Sequence, residues 1–464
     1  MISFSSIDII IILFFFASIL FIGFYTGRKT GSDADDYLLS GRKVGLFLFV
    51  LTNVSTWYGG ILGVGEFTYR YGIVSWFTQG FPYYIFAFLF AIFFAKKIRK
   101  ASLFTIPDKL TEVYGEKVGL LSAVIVFILV SPAPYLLMTA GLLSLLFNIN
   151  IFPALIISVV LSMAYLIKGG FRANIYADAF QFFVMFAGFI LIVIFSADSF
   201  GTIEFISSAV PANHIELTGG MSPMFIIVWF LIALWTFADP GFHQRCYAAK
   251  SDNVAVKGII ISIFFWALFD FLTTTTGLFA KAVIPNLNNP VLAFPLLAEN
   301  VLPSGVKGIF YAALFATILS TLNSFLFLSG TTIGRDFIFR INPKHDETKL
   351  KHYTIIGLMI SGILAIVLAL LIPSVIEIWY TIGSLFIPAI ILPVVSAYYP
   401  KIRIENKFVL IEMISAITLS SIWFFIRSNF ETVPIINELE PMLVGMVAAL
   451  LIHLFSLAFR VYKI

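Results

Sequence analysis

Charge is scarce in this sequence. Of its 464 residues, 12% are Asp, Glu, Lys or Arg, about half the share of a soluble domain. That excludes a water-coated globule, because too little polar surface exists to cover one. Cysteine is nearly missing as well. The single Cys246 excludes an internal disulfide framework and a cysteine-held metal cluster. The five His stand singly, with no HExxH spacing. Net charge is only +4, and no basic block of the kind that grips nucleic acid occurs. Long polar stretches are lacking too: connections 27–45, 98–116, 199–221 and 340–351 are too short for an independent core. What fills the chain is apolar, with 60% hydrophobic residues and 52 Phe and a mean hydropathy of +1.00. The class is an all-α integral membrane protein, with the lipid bilayer as solvent.

About 20 apolar residues cross the hydrocarbon core. Runs of that kind lie near 7–26, 46–68, 73–97, 117–147, 151–168, 175–198, 222–243, 254–283, 307–334, 352–372, 376–399, 406–426 and 441–460. The expectation is therefore about 13 transmembrane helices. The first run has no positive region before it, and Arg28 and Lys29 follow it, so it is read as a span with the N terminus outside. Twenty-five of the 29 Lys and Arg, Arg245 among them, then fall in inner segments, leaving Arg70, Lys281, Lys307 and Arg427 outside. This asymmetry fits the thirteen spans, a cytoplasmic C terminus and the cell's inner (plasma) membrane. No cluster of catalytic residues sits at a span end, so transport is expected over enzyme or receptor function. Nothing in the pattern calls for an obligate protein partner.

Polar groups inside a membrane are expensive and mark sites. FATILSTLNS, residues 315–324, places Thr317, Ser320, Thr321 and Ser324 in one stripe. The stripe admits two readings: hydroxyls bonded back to the helix and packed on a neighbour, or half of a site for a hard, oxygen-seeking cation. The second span, FVLTNVSTWYGGILGVG, is interrupted by Asn53, Ser55, Gly59 and Gly60, and a break there would free carbonyls around Leu51 to Val54. A matching break, Asp239–Pro240–Gly241, sits five spans later. Two such breaks are the pattern of an inverted-repeat transporter. Trp57, Tyr58, Trp235 and Phe237 flank them, as packing or as substrate lining. Asp178 either pairs with Arg172 or faces an inner vestibule. Glu66 and Arg70 are spaced to pair. Asp270 is deep and has no evident partner.

Several segments are familiar in order: DDYLLSGRKVG, TIPDKLTEVYG, GGFRANIYADAFQ, QRCYAAKS, AFPLLAENVLPSGVKGIFYAALFATILSTLNS and GRDF. Across most of residues 27–340 the chain resembles the sodium/solute symporter family. The resemblance implies a LeuT-type core of inverted five-helix repeats at 46–198 and 222–399, joined by an outer loop at 199–221. One helix and its loop (1–45) precede the core and two helices (400–464) follow. It implies a sodium ion held by Ser320 and Thr321, with backbone oxygens near Thr317, Leu51 and Val54. Asp178 matches a carboxylate on the inward ion exit path. A small-molecule substrate would sit near Asn53, Ser55, Trp57, Tyr58, Trp235 and Phe237. Trp57 and Pro240 look more like the sodium/proline branch than the sugar carriers, although Asn53 stands where that branch tends to carry Asp. The expected activity is sodium-coupled import of an amino acid or organic acid. The alternatives are a proton-coupled or sugar-type carrier, or a membrane sensor of the same fold.

Overall fold

The computed structural model describes residues 2–31, 33–341, 346–430 and 439–462. Lys344 and Lys463, counted above as inner charges, lie outside them. Every named element is helical, as a backbone without water to bond must be. Among the described residues, eleven helices are long and apolar enough to cross a bilayer, or up to twelve if the bent pair Leu46–Tyr58 and Ile61–Tyr71 is one span. Hydropathy located them to within a few residues: the runs expected at 7–26, 254–283 and 406–426 are Ser6–Gly27, Asp252–Val283 and Asn406–Ile426.

Two expected runs, 151–168 and 175–198, lie in one continuous stretch, Ile151–Phe200. Its 50 residues would measure about 75 Å as a straight helix, more than twice the bilayer core. Gly170, at φ 52° and ψ −143°, breaks it. Only glycine adopts that conformation freely, and a Cβ there would lie 2.3 Å from the Tyr37 carbonyl oxygen. The Tyr37 hydroxyl donates to the Leu166 carbonyl at 3.1 Å, which fastens the short helix Ala34–Leu39 into the elbow.

Helix Val306–Thr331 is the axis of the molecule. Nearly all its residues are buried, and it packs on Ile151–Phe200, Ser6–Gly27 and the broken second span. The hydroxyl-bearing stretch 315–324 is thus buried in protein. That second span is helical through Leu46–Ser55, turns 3-10 at Thr56–Tyr58 and bends by 57° before Ile61. The interruption therefore starts after Leu51 to Val54, not within them. The cause is packing: a Cβ on Gly59 would lie 2.3 Å from Thr321 Cβ, and one on Gly60 2.1 Å from the Trp379 ring. The chain yields where its neighbours come closest. The later break is similar. Helix Pro223–Ile232 tightens to a 3-10 turn at Ala233–Ala238, Asp239 is extended, and Pro240–Ala248 restarts the helix. Pro240 suits a first helical turn because its missing N–H needs no partner there. The Asp239 carboxylate caps that turn, accepting from Phe242 N at 2.9 Å.

Candidate functional site

The two breaks and the hydroxyl stripe converge. Ser320 Oγ donates to Asp178 Oδ1 at 2.8 Å and lies 3.1 Å from Ser55 Oγ and 3.3 Å from Thr56 Oγ1. Thr321 Oγ1 donates to the Thr56 carbonyl at 2.7 Å, a reach that the bare Gly59 permits. Thr52 Oγ1 donates to Asp178 Oδ2. Asn174 Nδ2 lies 3.3 Å from the same oxygen. Five hydroxyl residues from two spans, with Asn174 from a third, therefore meet around one fully buried carboxylate. The donor set is hydroxyl, carbonyl and carboxylate oxygen. A hard cation fits such a set, and a thiophilic metal does not. Among the described residues, no group of three or more His, Cys, Asp or Glu converges as a metal site.

Arg245 was expected in an inner loop. Its helix instead runs on to Ala248, and its side chain is 3% exposed, with Nη2 3.7 Å from Asp178 Oδ2. The same nitrogen donates to Thr56 Oγ1 at 2.6 Å, Thr52 Oγ1 at 3.2 Å, Ser324 Oγ at 3.3 Å and the Thr52 carbonyl at 3.4 Å. Arg172 does not pair with Asp178. It binds Asp36, and six helical positions set residues 172 and 178 about 120° apart around the helix and about 9 Å apart along it. Thr317 bonds back to the Ala313 carbonyl at 2.6 Å, so for its hydroxyl the packing reading holds. Ser324 accepts from Asn174 Nδ2 at 2.8 Å, and Asn323 Nδ2 bonds Tyr165 OH. Leu51 and Val54 are buried one turn before the bend.

Beside this cluster lies a cavity of about 390 Å³, within the range of small-ligand sites. Asn53, Trp57, Tyr58 and Trp235 line it, together with Asp239, Arg245, Asp270 and Thr321. Ser55 and Phe237 are not among its lining. Ser55 turns to Ser320, and Phe237 packs on Phe86, Phe90 and Phe94. Trp57 is wedged edge-on against Tyr83 and Phe242, 4.8 and 5.5 Å between centroids, which fixes one wall. Arg70 and Glu66 pair at 2.9 Å as their spacing suggested. Thr52, Thr56, Asn174 and Arg245 escaped notice in the sequence, the first two because hydroxyls one helical turn apart are common inside membranes.

Two interrupted helices that meet an oxygen cluster beside a central cavity define a membrane carrier of LeuT-type architecture. A solved structure of a Na+-coupled sialic acid symporter, substrate-bound and outward-open, superposes with a TM-score of 0.82 at 17% identity, covering 98% of both chains. Residues 37–414 match the family model of the sodium:solute symporter family. The chain belongs to that family. The high-affinity choline transporter 1 of Drosophila melanogaster is 25% identical over 396 residues, 80% of this chain and 63% of that protein, so the match spans less than two thirds of its length. The sodium/pantothenate symporter of Escherichia coli (strain K12) is 27% identical over 361 residues, 74% of each chain.

Proposed function

We propose that this protein is a sodium-coupled symporter that imports a small organic solute by alternating access. The observation that carries the reading is the meeting of Ser320 and Thr321 with Ser55, Thr56 and Asp178 at the bend of the second span. Sodium would be held by Ser320 Oγ, Thr321 Oγ1 and carbonyls of the Leu51, Val54 and Thr317 backbone. Asp178 would act as the charge of the site and the first station of the exit path. The solute would occupy the cavity against Asn53, Trp57, Tyr58 and Trp235. Asn53 lies on the same short helix as Thr52 and Ser55. Whatever steadies the bend for the ion therefore steadies the cavity wall for the solute, and each raises the affinity for the other. One charge moving inward through 100 mV adds about 2.3 kcal/mol of drive.

The same reading covers topology. Taking the bent pair as one span and dividing Ile151–Phe200 at Gly170 gives thirteen crossings. Repeats at 46–198 and 222–399 then follow one helix and precede two, with residue 1 outside, in the plasma membrane. Relatives that are sodium/pantothenate and sodium/proline symporters support an amino acid or organic acid as solute.

Reconstituted vesicles test the coupling. Uptake of labelled L-proline, choline and pantothenate is compared in sodium and in potassium. Ser320→Ala with Thr321→Ala removes two contacts worth about 1 kcal/mol each, so half-saturating sodium should rise at least about tenfold. Unchanged sodium stimulation in the double variant would refute the site.

A further inference from the structure

Asp270 is the charged group that the ion site does not use. It lies on helix Asp252–Val283, is 9% exposed and lines the central cavity. Among the described residues, no Lys, Arg or His comes within ion-pair distance of it. Its Oδ2 accepts from the Tyr84 hydroxyl, and Trp76 Nε1 lies 3.2 Å from that hydroxyl oxygen. Gly80 clears space for the carboxylate, since a Cβ there would lie 2.6 Å from Oδ2. A buried carboxylate with only neutral donors is costly until a proton or a cation neutralises it.

The surroundings decide which cation. Sodium wants several oxygens in its first shell. The Tyr84 hydroxyl bonds Asp270, and the cavity that Asp270 lines is walled by the rings of Trp57, Tyr58, Trp76 and Tyr83 together with the hydroxyls of Ser75, Thr78 and Thr274. Ring faces attract organic ammonium groups, which are large and weakly hydrated. A second orphan lies in the same cavity. Asn53 is 5% exposed, and its Nδ2 has no hydrogen-bond partner. That amide is a donor waiting for an acceptor oxygen, which a solute's carboxylate, carbonyl or hydroxyl supplies.

We propose that Asp270 is the binding site for the ammonium group of the transported solute, held between aromatic rings while Asn53 Nδ2 donates to an oxygen at its other end. This rests on the symport reading and narrows it. The solute is an amino compound, and a carboxylate without an ammonium group is not the substrate. Asp239 is less suited to the role, because its charge is already offset by the helix N-terminus that it caps at Pro240–Ala248.

Binding to the purified full-length chain is measured by calorimetry with L-proline, betaine and choline on one side and pantothenate and lactate on the other. Each is run in sodium and in potassium. The expected result is sodium-dependent binding of at least one ammonium compound and none of the two acids. Asp270→Asn should weaken that binding about tenfold to a hundredfold, the loss of one charge-assisted contact. Asp270→Glu should restore part of it, and both variants should melt within a few degrees of the parent. Binding of an acid, absence of binding by all three ammonium compounds, or an Asp270→Asn effect within twofold overturns the proposal. Ammonium binding that ignores sodium would leave it standing and sink the symport reading instead.

Discussion

Arg245 and Asp178 are both buried, 3.7 Å apart, and each is costly there without the other. The guanidinium fork also gathers Thr52, Thr56 and Ser324, so it braces both the second span and the central helix. Arginine suits this because its two amino groups point apart, Nη2 to these hydroxyls and Nη1 to the Gly241 carbonyl at 3.2 Å, which a single lysine ammonium cannot match. Removing one partner strands the other charge, at a cost of about 3–5 kcal/mol. Arg245→Met and Asp178→Asn should therefore each lower the melting temperature in detergent sharply. The double variant should melt above either single one, since it leaves no lone buried charge. A double variant as unstable as the sum of the two would mean that the residues act independently. Arg245→Lys should restore stability only in part. None of this was legible in the sequence, where Arg245 read as one more positive charge after a span. Whether a helix stops at residue 243 or runs to Ala248 depends on what covers its end, and hydropathy does not carry that.

At the scale of elements, the apolar helices were legible because lipid dictates them: twenty apolar residues have few other solutions. The breaks were legible as breaks from Gly59, Gly60, Asp239 and Pro240, yet the first was placed several residues early. Its position is set by Thr321 and Trp379 pressing on the glycines, contacts more than two hundred positions away in the chain. The hydroxyl stripe divided in the same way. Ser320 and Thr321 reach across to the second span, whereas Thr317 bonds its own helix, and spacing alone does not separate those cases.

The connection around Ala212–Ile215 shows a different kind of coupling. His214 Nε2 lies 3.1 Å from the Tyr69 carbonyl, and Ile73 N donates to the His214 carbonyl at 2.8 Å, which pins the connection to the end of the second span. Burial pushes the imidazole below its ordinary pKa of 6.5, and the nearby Lys281 charge acts the same way against the Tyr69 carbonyl. The folded connection thus favours neutral His214. Its contribution is complete above the unfolded value and is lost as pH falls through the lowered one. Hydrogen-exchange protection of residues 71–75 and 212–215, corrected for the intrinsic pH dependence of amide exchange, should fall as pH drops below the ordinary histidine value of 6.5, while that of Val306–Thr331 holds. His214→Gln should remove the pH dependence, and a pH-independent exchange pattern in the parent would exclude the mechanism.

The whole molecule is closed at the end opposite this connection. Asp108 binds Arg335 and Arg340 at 2.9 Å each, and Thr105 donates to Asp336 at 2.8 Å. The Tyr247 and Tyr398 hydroxyls meet at 2.9 Å, and Val44 pairs its backbone with Ala249. The Asp108 and Thr105 contacts tie the first proposed repeat to the second across what the proposed orientation makes the cytoplasmic side, while the tyrosine pair lies within the second repeat and Val44 joins it to the segment before the core. An alternating-access carrier must part the two repeats there to release its load inward. Cys246 lies just behind this seal, fully buried and the chain's single cysteine, so its modification reports the opening without any engineered label. A maleimide in vesicles should react slowly with the parent chain. Asp108→Asn removes the acceptor shared by two guanidinium groups. A bias of about 1.4 kcal/mol toward the parted arrangement raises its population tenfold, and the labelling rate should follow. Sodium at saturation should slow labelling in both chains if the ion favours the arrangement closed on this side, because a ligand shifts an equilibrium only through its preference for one state. Labelling within twofold of the parent in Asp108→Asn would show that the network is a surface ornament. Labelling that sodium accelerates would show that the ion opens this end, and the coupling would then run in the opposite order.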